Sequence, residues 1–215
     1  MRIERAGYTI LSNISEDGMN ELKAIERIAR VCYKSEGLIT EDGESAKKLV
    51  KKLIDLGHEA MLEHSSLSIL FKCDRGVSHE LVRHRLVAFA QESTRYCNYS
   101  KDKFGNEITV ISPFFYQGQE KKNEFESWKK SCEEAEKQYL YLLAIGSTSQ
   151  EARSVLPNSL KTEIVMTANY REWRHFFKLR TAKAAHPQMR EITIPLLKDL
   201  QSKLPIIFDD IEVEQ

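Results

Sequence analysis

Apolar residues recur at spacings of three and four along much of this chain, which is the period of an amphipathic helix. The longest run predicts a helix over about 120–145, where Trp128 and Tyr139 share one face. Further helices are predicted over residues 19–33, 43–60, 78–86, 148–157, 171–180 and 187–204, with an interruption of the last at Pro195. Thr148 is followed by Glu151 three residues later, which is the pattern of a capping box.

An alternation of apolar and polar residues marks the predicted strands, because successive side chains of a strand point to opposite faces. It is clearest over residues 65–73, where Leu67, Ile69 and Phe71 recur at every second position and predict a strand with one wet face. Weaker strand signals lie at residues 1–14, 107–112 and 160–168. Strands and helices do not follow a regular βαβ order, so the sequence predicts an α/β protein of the α+β type.

Length, charge and cysteine spacing restrict the class of protein. A chain of 215 residues can form one domain with a proper core, and we predict a single domain over residues 1–215. Its 32 Lys and Arg balance 32 Asp and Glu, and this zero net charge argues against general nucleic-acid binding. The N-terminal segment lacks the apolar run of a signal peptide, and the four cysteines form no CxxC pair. We therefore predict a cytoplasmic protein with free thiols.

Positive charge is concentrated in residues 83–96, where Arg83, Arg85 and Arg95 are accompanied by a single acid, Glu92. The planar guanidinium fork matches phosphate or carboxylate and stays charged at any useful pH. The chain has no glycine-rich phosphate loop, so a phosphate would have to be bound by side chains. This stretch is therefore a candidate anion site, and a solvated, charged helix end is the alternative.

Two further arginines lie beside apolar residues. On the helix predicted over residues 171–180, Trp173, Phe176 and Arg180 share one face. The polar face is predicted to carry Arg171, Arg174 and Lys178. Arg153 shortly precedes an apolar pair in a similar way. Arg153 and Arg180 each either form an ordinary ion pair or line a cavity that faces an anion.

The sequence gives weaker signals for a metal site and for a catalytic nucleophile. His58 and His64 do not match the i, i+4 histidine pair of a zinc-binding helix, so we predict no metal site. A polar turn at the rim of a pocket is favoured there, with His58 available for hydrogen bonding. Ser93 or Cys97 could act as a nucleophile with His84 as base, but no GxSxG motif accompanies them.

The segment RHRLVAFAQES, residues 83–93, resembles the signature of the flavin-dependent thymidylate synthases, which is Arg-His-Arg, seven residues and then serine. Flanking segments resemble the same family over residues 57–73, 152–157, 167–180 and 185–192. The resemblance implies an α/β fold with a mixed central sheet flanked by helices. It also implies a homotetramer whose active sites lie where subunits meet.

The resemblance further implies a reaction, the methylation of dUMP to dTMP. The carbon would come from methylenetetrahydrofolate, FAD would carry the hydride, and NADPH would reduce the flavin. The expected ligands are therefore dUMP, folate and NADPH besides FAD, and neither nucleic acid nor a membrane is expected as a partner.

Residue by residue, the resemblance assigns roles to positions of this chain. Arg180 would polarise the pyrimidine, Ser93 would orient the nucleotide, and His58 would lie near the flavin or folate. Positions that match FAD contacts are Ser66, Arg83, His84, Arg85, Gln91, Asn169, Arg171 and His175. Positions that match dUMP contacts are Glu80, Arg83, Gln91, Glu92, Ser93, Thr94, Arg95, Arg153 and Arg180. Many members of the family carry Asn-Glu where Ala90 and Gln91 stand here.

Two functions from other classes stay open at this point. A nucleotide- or RNA-binding module would use the arginines for phosphate only, with Phe89, Tyr96 and Tyr99 as stacking platforms. The zero net charge weighs against it. A structural oligomer would instead use the arginines in ion pairs between subunits. The first would bind nucleotide without flavin, and the second would bind neither ligand.

Overall fold

Most of the longer helices form where the apolar spacing predicts them, because each of these stretches can bury one face. The computed structural model describes residues 1–213. The α-helices of these residues are α1 Met19–Val31, α2 Glu44–Asp55, α3 Arg75–Leu81, α4 Lys122–Ala144, α5 Ser149–Ala152, α6 Tyr170–Arg180, α7 Pro187–Lys203 and α8 Pro205–Phe208. None of the helices formed by residues 1–213 is long and apolar enough to span a lipid bilayer.

The strands of the described residues form two sheets. They are β1 Arg2–Glu4, β2 Gly7–Ile10, β3 Ser66–Asp74, β4 Ala88–Gln91, β5 Thr109–Ile111 and β6 Lys161–Asn169. One sheet has the order β2-β3-β6-β4, and the other pairs β1 with β5 in parallel, with Arg2 opposite Thr109. The alternation in β3 is confirmed, since Leu67, Ile69 and Phe71 are buried. These helices and sheets belong to the predicted α/β class.

The chain forms two compact units, each assembled from separate segments. Unit 1 comprises Met1–Tyr8, Leu70–Arg83 and Phe89–Val165. The buried residues of its core cluster are Tyr99, Ile108, Val110, Cys132, Tyr139, Ala152 and Leu160. Trp128 packs against this cluster, which also contains Tyr139 three turns further along α4, and this confirms the predicted apolar face of the helix. The single domain expected for residues 1–215 stays a prediction.

Unit 2 comprises Thr9–Ile69, His84–Ala88 and Met166–Gln215, and it contains α1, α2, α6, α7 and α8. α6 packs against α7 and against a short 3-10 helix that precedes β3. Trp173 of α6 is fully buried, and its indole nitrogen donates a hydrogen bond to the carbonyl of Leu67 at 3.0 Å. This anchor holds the apolar face of α6 in place.

The interruption expected at Pro195 does not occur. α7 continues through this residue as one helix from Pro187 to Lys203. Pro195 lies on the exposed side, whereas Ile192 and Leu196 are buried on the other side. Burial of this apolar face compensates for the backbone hydrogen bond that proline cannot donate.

The expected position of Arg174 on an exposed polar face is also wrong. Its side chain is buried within unit 2, with 1% of the residue exposed. The guanidinium forms ion pairs with Glu59 at 3.0 Å and with Asp210 at 2.6 Å, and it also donates to the carbonyl of Ile207. A buried arginine requires such partners, because an unpaired charge is costly to remove from water.

Candidate functional site

The arginine motif lies outside regular secondary structure. α3 ends at Leu81, although the sequence predicts helix up to residue 86, so Arg83, His84 and Arg85 lie in the irregular segment before β4. His84 is buried, with 6% exposed, whereas Arg83 and Arg85 are exposed. The motif thus directs its imidazole inward and leaves its two guanidinium groups accessible to an anion.

Both ring nitrogens of His84 are hydrogen-bonded within unit 2. Nε of Arg180 lies 3.0 Å from Nε2 of the ring, and Oε1 of Glu172 lies 3.2 Å from Nδ1. Because arginine has donors only, Nε2 must accept, and Nδ1 carries the proton and donates it to the carboxylate. Burial, and to a smaller extent the neighbouring Arg180, lower the pKa of His84, while Glu172 opposes this shift. His84 is therefore neutral near pH 7.

The sequence of α6 explains how this helix presents its side chains. Asn169 caps the helix, and its side-chain oxygen accepts a hydrogen bond from the backbone nitrogen of Glu172 at 2.8 Å. Trp173 and Phe176 are fully buried and fix the rotation of the helix about its axis. Arg180, on the same side as predicted, reaches His84 one turn after Phe176.

A cavity of about 660 Å³ in unit 2 adjoins this group. Its wall includes cations and hydrogen-bonding side chains of α6, and the lining residues are Glu59, Glu63, Leu86, Asn169, Arg171, Glu172, His175 and Lys178. Arg171 is exposed and forms an ion pair with Glu63. The volume falls within the roughly 300–1,000 Å³ that ligand pockets have. Of the residues expected at FAD, Asn169, Arg171 and His175 line this cavity.

Three neighbouring side chains of unit 2 carry atoms of the kind that bind metal ions. The ligand atoms of His84, Glu172 and His175 lie within 4.8 Å of one another. However, the lone pair on Nε2 of His84 accepts from Arg180, and the proton on Nδ1 is donated to Glu172. A metal ion would have to displace a guanidinium group, so the arrangement favours a hydrogen-bonded chain over a metal centre.

Unit 1 contains a second group of the expected residues, which begins with Gln91 at the end of β4. Nε2 of Gln91 donates to the hydroxyl oxygens of Ser78 at 2.9 Å and Thr162 at 3.3 Å. The Ser78 hydroxyl in turn donates to the carbonyl of Arg75 at 2.9 Å. Because that proton is used, Ser78 must accept from Gln91, and this orients the amide with Oε1 as an available acceptor.

The carboxylate of Glu92 is held by residues of the same unit. One oxygen accepts from the Tyr99 hydroxyl at 2.9 Å, and the other pairs with Lys161 at 3.1 Å. Burial, and then the proximity of Glu92, raise the pKa of Tyr99, so its hydroxyl remains protonated and can donate. These contacts position the turn after β4, and direct contact of Glu92 with dUMP stays a prediction.

The turn after β4 brings together residues that are far apart in sequence. Nη1 of Arg153 donates to the hydroxyl of Thr94 at 3.3 Å, and Thr94 is buried. The Ser93 hydroxyl accepts from the backbone nitrogen of Arg95, also at 3.3 Å. The exposed guanidinium of Arg95 lies 5.4 Å from the ring centroid of Tyr96. Through Thr94, the turn after β4 brings Arg153 close to Ser93 and Arg95. We call this group of residues the polar segment of unit 1.

Three other expected site residues differ in their exposure. His58 is exposed just before the 3-10 helix Glu59–His64, and Ser66 is exposed at the start of β3. Glu80 is half-buried on α3. The roles assigned to these three positions stay predictions.

Sequence reasoning missed Glu172, Ser78 and Thr162. Asn169 and Glu172 have the spacing of a helix cap followed by an acid three residues later, the same pattern that predicted the cap at Thr148, so Glu172 could have been found. Ser78 and Thr162 carry no such signal, because they lie on an ordinary helix and an ordinary strand.

A nucleophile paired with His84 is disfavoured, since both of its ring nitrogens are already hydrogen-bonded.

Comparison with known proteins places the chain in a family. The family described as thymidylate synthase complementing protein matches residues 16–206. A flavin-dependent thymidylate synthase from Geobacter sulfurreducens is 34% identical over 193 residues, which cover 87% of this chain and 80% of that protein. Another from Corynebacterium aurimucosum is 31% identical over 213 residues, covering 92% and 83% of the two chains.

A solved structure supports the fold. The UMP/dUMP methylase PolB from Streptomyces cacaoi, solved with bound 5-Br dUMP, has a TM-score of 0.78 to this chain at 22% identity. The similarity covers 97% of this chain and 96% of that protein. On the extent of the family match and the identity to its curated relatives, the chain belongs to the thymidylate synthase complementing protein family, the flavin-dependent thymidylate synthases.

Proposed function

We propose that this chain methylates dUMP to dTMP, with methylenetetrahydrofolate as carbon donor, FAD as cofactor and NADPH as reductant. Membership of the flavin-dependent family supports the reaction class. The structural observation that carries the proposal is the hydrogen bond from Arg180 to His84. It joins the Arg-His-Arg motif to α6, the two parts of the chain that carry the strongest resemblance to this family.

The cavity of unit 2 suits a flavin nucleotide. Its volume of about 660 Å³ is typical of ligand pockets, and Arg171 and Lys178 supply cations for a diphosphate. Asn169 and His175 supply hydrogen-bonding groups for the polar ring edges. FAD, when bound, would supply the hydride of the reaction. Arg83 and Arg85, both exposed, are the further cations that we assign to it.

The polar segment of unit 1 suits a nucleotide monophosphate. Arg95 and Arg153 can each contribute a charge-assisted hydrogen bond to phosphate, worth about 1.5–3 kcal/mol. Ser93 and Gln91 offer a hydroxyl and an amide carbonyl to the nucleoside. Arg180 is assigned to the pyrimidine, where a guanidinium at a carbonyl stabilises the negative charge that develops during the reaction.

Assembly and location are proposed from the same family membership. We propose a homotetramer with active sites shared between subunits, because Leu86 and Tyr96, on either side of β4, are 76% and 79% exposed. Large apolar side chains that flank a charged motif are candidates for a subunit contact. A cytoplasmic location stays a prediction.

The decisive experiment follows the flavin spectrum. The purified protein is incubated with FAD, desalted, and mixed anaerobically with NADPH. An oxidised flavin spectrum that bleaches, then recovers when dUMP and methylenetetrahydrofolate are added, establishes the synthase cycle. Nucleotide binding without retained flavin would instead support the binding module, and binding of neither ligand would support the structural oligomer.

A further inference from the structure

We infer that Glu172 is a positioning residue, which fixes the tautomer of His84 and through it the orientation of Arg180. This inference rests on the proposed role of Arg180 at the pyrimidine. Glu172 is absent from the set of residues that the resemblance assigns, and its involvement comes from the geometry of unit 2. The three side chains form a continuous chain of hydrogen bonds, from carboxylate to imidazole to guanidinium.

Each hydrogen bond between these side chains is costly to lose, because Glu172 and His84 are buried. Glu172 is 8% exposed and His84 is 6% exposed, so water cannot easily replace a lost partner. The ring of Phe176, fully buried, lies edge-on to the ring of His84 with a centroid distance of 5.0 Å. Packing therefore fixes the plane of the imidazole, and only the position of its proton is left to be decided.

The position of that proton decides whether Arg180 can bind. In the observed tautomer the proton is on Nδ1, and Nε2 offers a lone pair to the Nε–H of Arg180. In the other tautomer two N–H donors would face each other at 3.0 Å, and the guanidinium would have to turn away. An ionised carboxylate is acceptor-only, so Glu172 opposite Nδ1 selects the productive tautomer.

The test compares Glu172→Ala with Glu172→Gln. The alanine variant removes the acceptor opposite Nδ1, and we expect kcat for dUMP methylation to fall about ten- to a hundred-fold. The glutamine variant can still accept through its amide oxygen, and we expect it to recover activity to within about fivefold of wild type. Because Glu172 also lines the cavity assigned to FAD, kcat is measured at saturating FAD, and flavin retention after desalting is recorded for all three proteins.

A direct readout of the proton does not depend on turnover. Nitrogen-15 NMR of histidine-labelled, flavin-free protein distinguishes a protonated Nδ1 from a protonated Nε2. Subtracting the spectrum of a His84→Asn variant identifies the His84 signals. We expect protonation at Nδ1 in wild type and Glu172→Gln, and a shift of the proton toward Nε2 in Glu172→Ala. An unchanged tautomer in the alanine variant would overturn the inference.

Glu26→Ala is the matched control for loss of a buried carboxylate. Glu26 is 0% exposed in the same unit, and its carboxylate accepts hydrogen bonds from Arg30 and Ser45. This variant should lose stability but keep kcat and the His84 spectrum of wild type. An equal loss of kcat in Glu26→Ala would show that Glu172 acts only through stability. If wild type fails to methylate dUMP, the proposed function fails, while the NMR result still tests the tautomer.

Discussion

At the residue scale, the side chain of Arg180 is both packed beside apolar residues and hydrogen-bonded to a histidine. It lies at the end of an apolar helix face, and its Nε donates to a neutral, buried histidine. That bond fixes the direction of the guanidinium group, which stays positively charged at any useful pH. Such a charge, held in a defined orientation, is suited to stabilise an anionic intermediate.

We predict that Arg180→Ala keeps its fold but loses at least about a hundredfold in kcat, the usual loss when one donor to a developing oxyanion is removed. The measurement is dTMP formation by flavin-loaded enzyme, with the melting temperature recorded in parallel. Arg27→Ala, which removes an exposed arginine of α1, is the control and should behave as wild type. Wild-type rates in Arg180→Ala would refute the role assigned to this residue.

The titration of His84 leads to a prediction about stability. Burial lowers the pKa of His84 and outweighs the favourable effect of Glu172, while the neighbouring Arg180 and His175 lower the pKa further. Because the pKa is lower in the folded than in the unfolded state, the unfolded state binds more protons below about pH 6.5. The stability that depends on neutral His84 is therefore present above this pH and is lost as the pH falls through the folded-state pKa.

Urea unfolding at pH 7.5 and pH 5.5 measures this effect. Wild type should lose more unfolding free energy between the two pH values than a His84→Gln variant, which cannot titrate at this position. Equal losses would indicate that other groups cause the acid sensitivity.

At the element scale, two of the three arginines of α6 have opposite environments. Arg174 is buried with two carboxylate partners, whereas Arg171 is exposed with one. We predict that Arg174→Ala lowers the free energy of unfolding by about 3 kcal/mol, because it breaks a buried ionic network. Arg171→Ala should lower it by less than about 1 kcal/mol, since exposed ion pairs contribute little. Chemical unfolding of both variants checks the difference, and similar values would contradict the burial of Arg174.

The same helix shows which features sequence periodicity can predict and which it cannot. It correctly predicts α6 and the alignment of Arg180 with Trp173 and Phe176. It fails for Arg174, because a helical projection sorts residues by polarity and takes no account of partners elsewhere in the chain. α3 is a second failure, since nothing in its local spacing indicates that it stops at Leu81 and releases the arginine motif.

At the scale of the whole molecule, the proposed tetramer is directly testable. Light scattering should give four times the mass of one chain. We predict that Leu86→Asp lowers this mass and weakens FAD retention, because a charge would be buried at a subunit contact beside the motif. Leu38→Asp, at another exposed leucine, is the control and should remain tetrameric. A wild-type monomer would contradict the tetramer, and an intact Leu86→Asp tetramer would contradict the placement of the contact.

The sequence by itself determined most of the helices and strands, although not the end of α3, strand β4 or the continuity of α7. It also determined the concentration of arginine and the family, because periodicity and motif spacing are local properties of the chain. Only the tertiary structure decided which partner each arginine has. Arg180 meets His84 from 96 positions away, and Arg174 meets Glu59 from 115 positions away. Such pairs depend on how distant segments pack. Burial then lowers the pKa of His84 and keeps its ring neutral. The chemistry of the site is therefore a property of the folded chain.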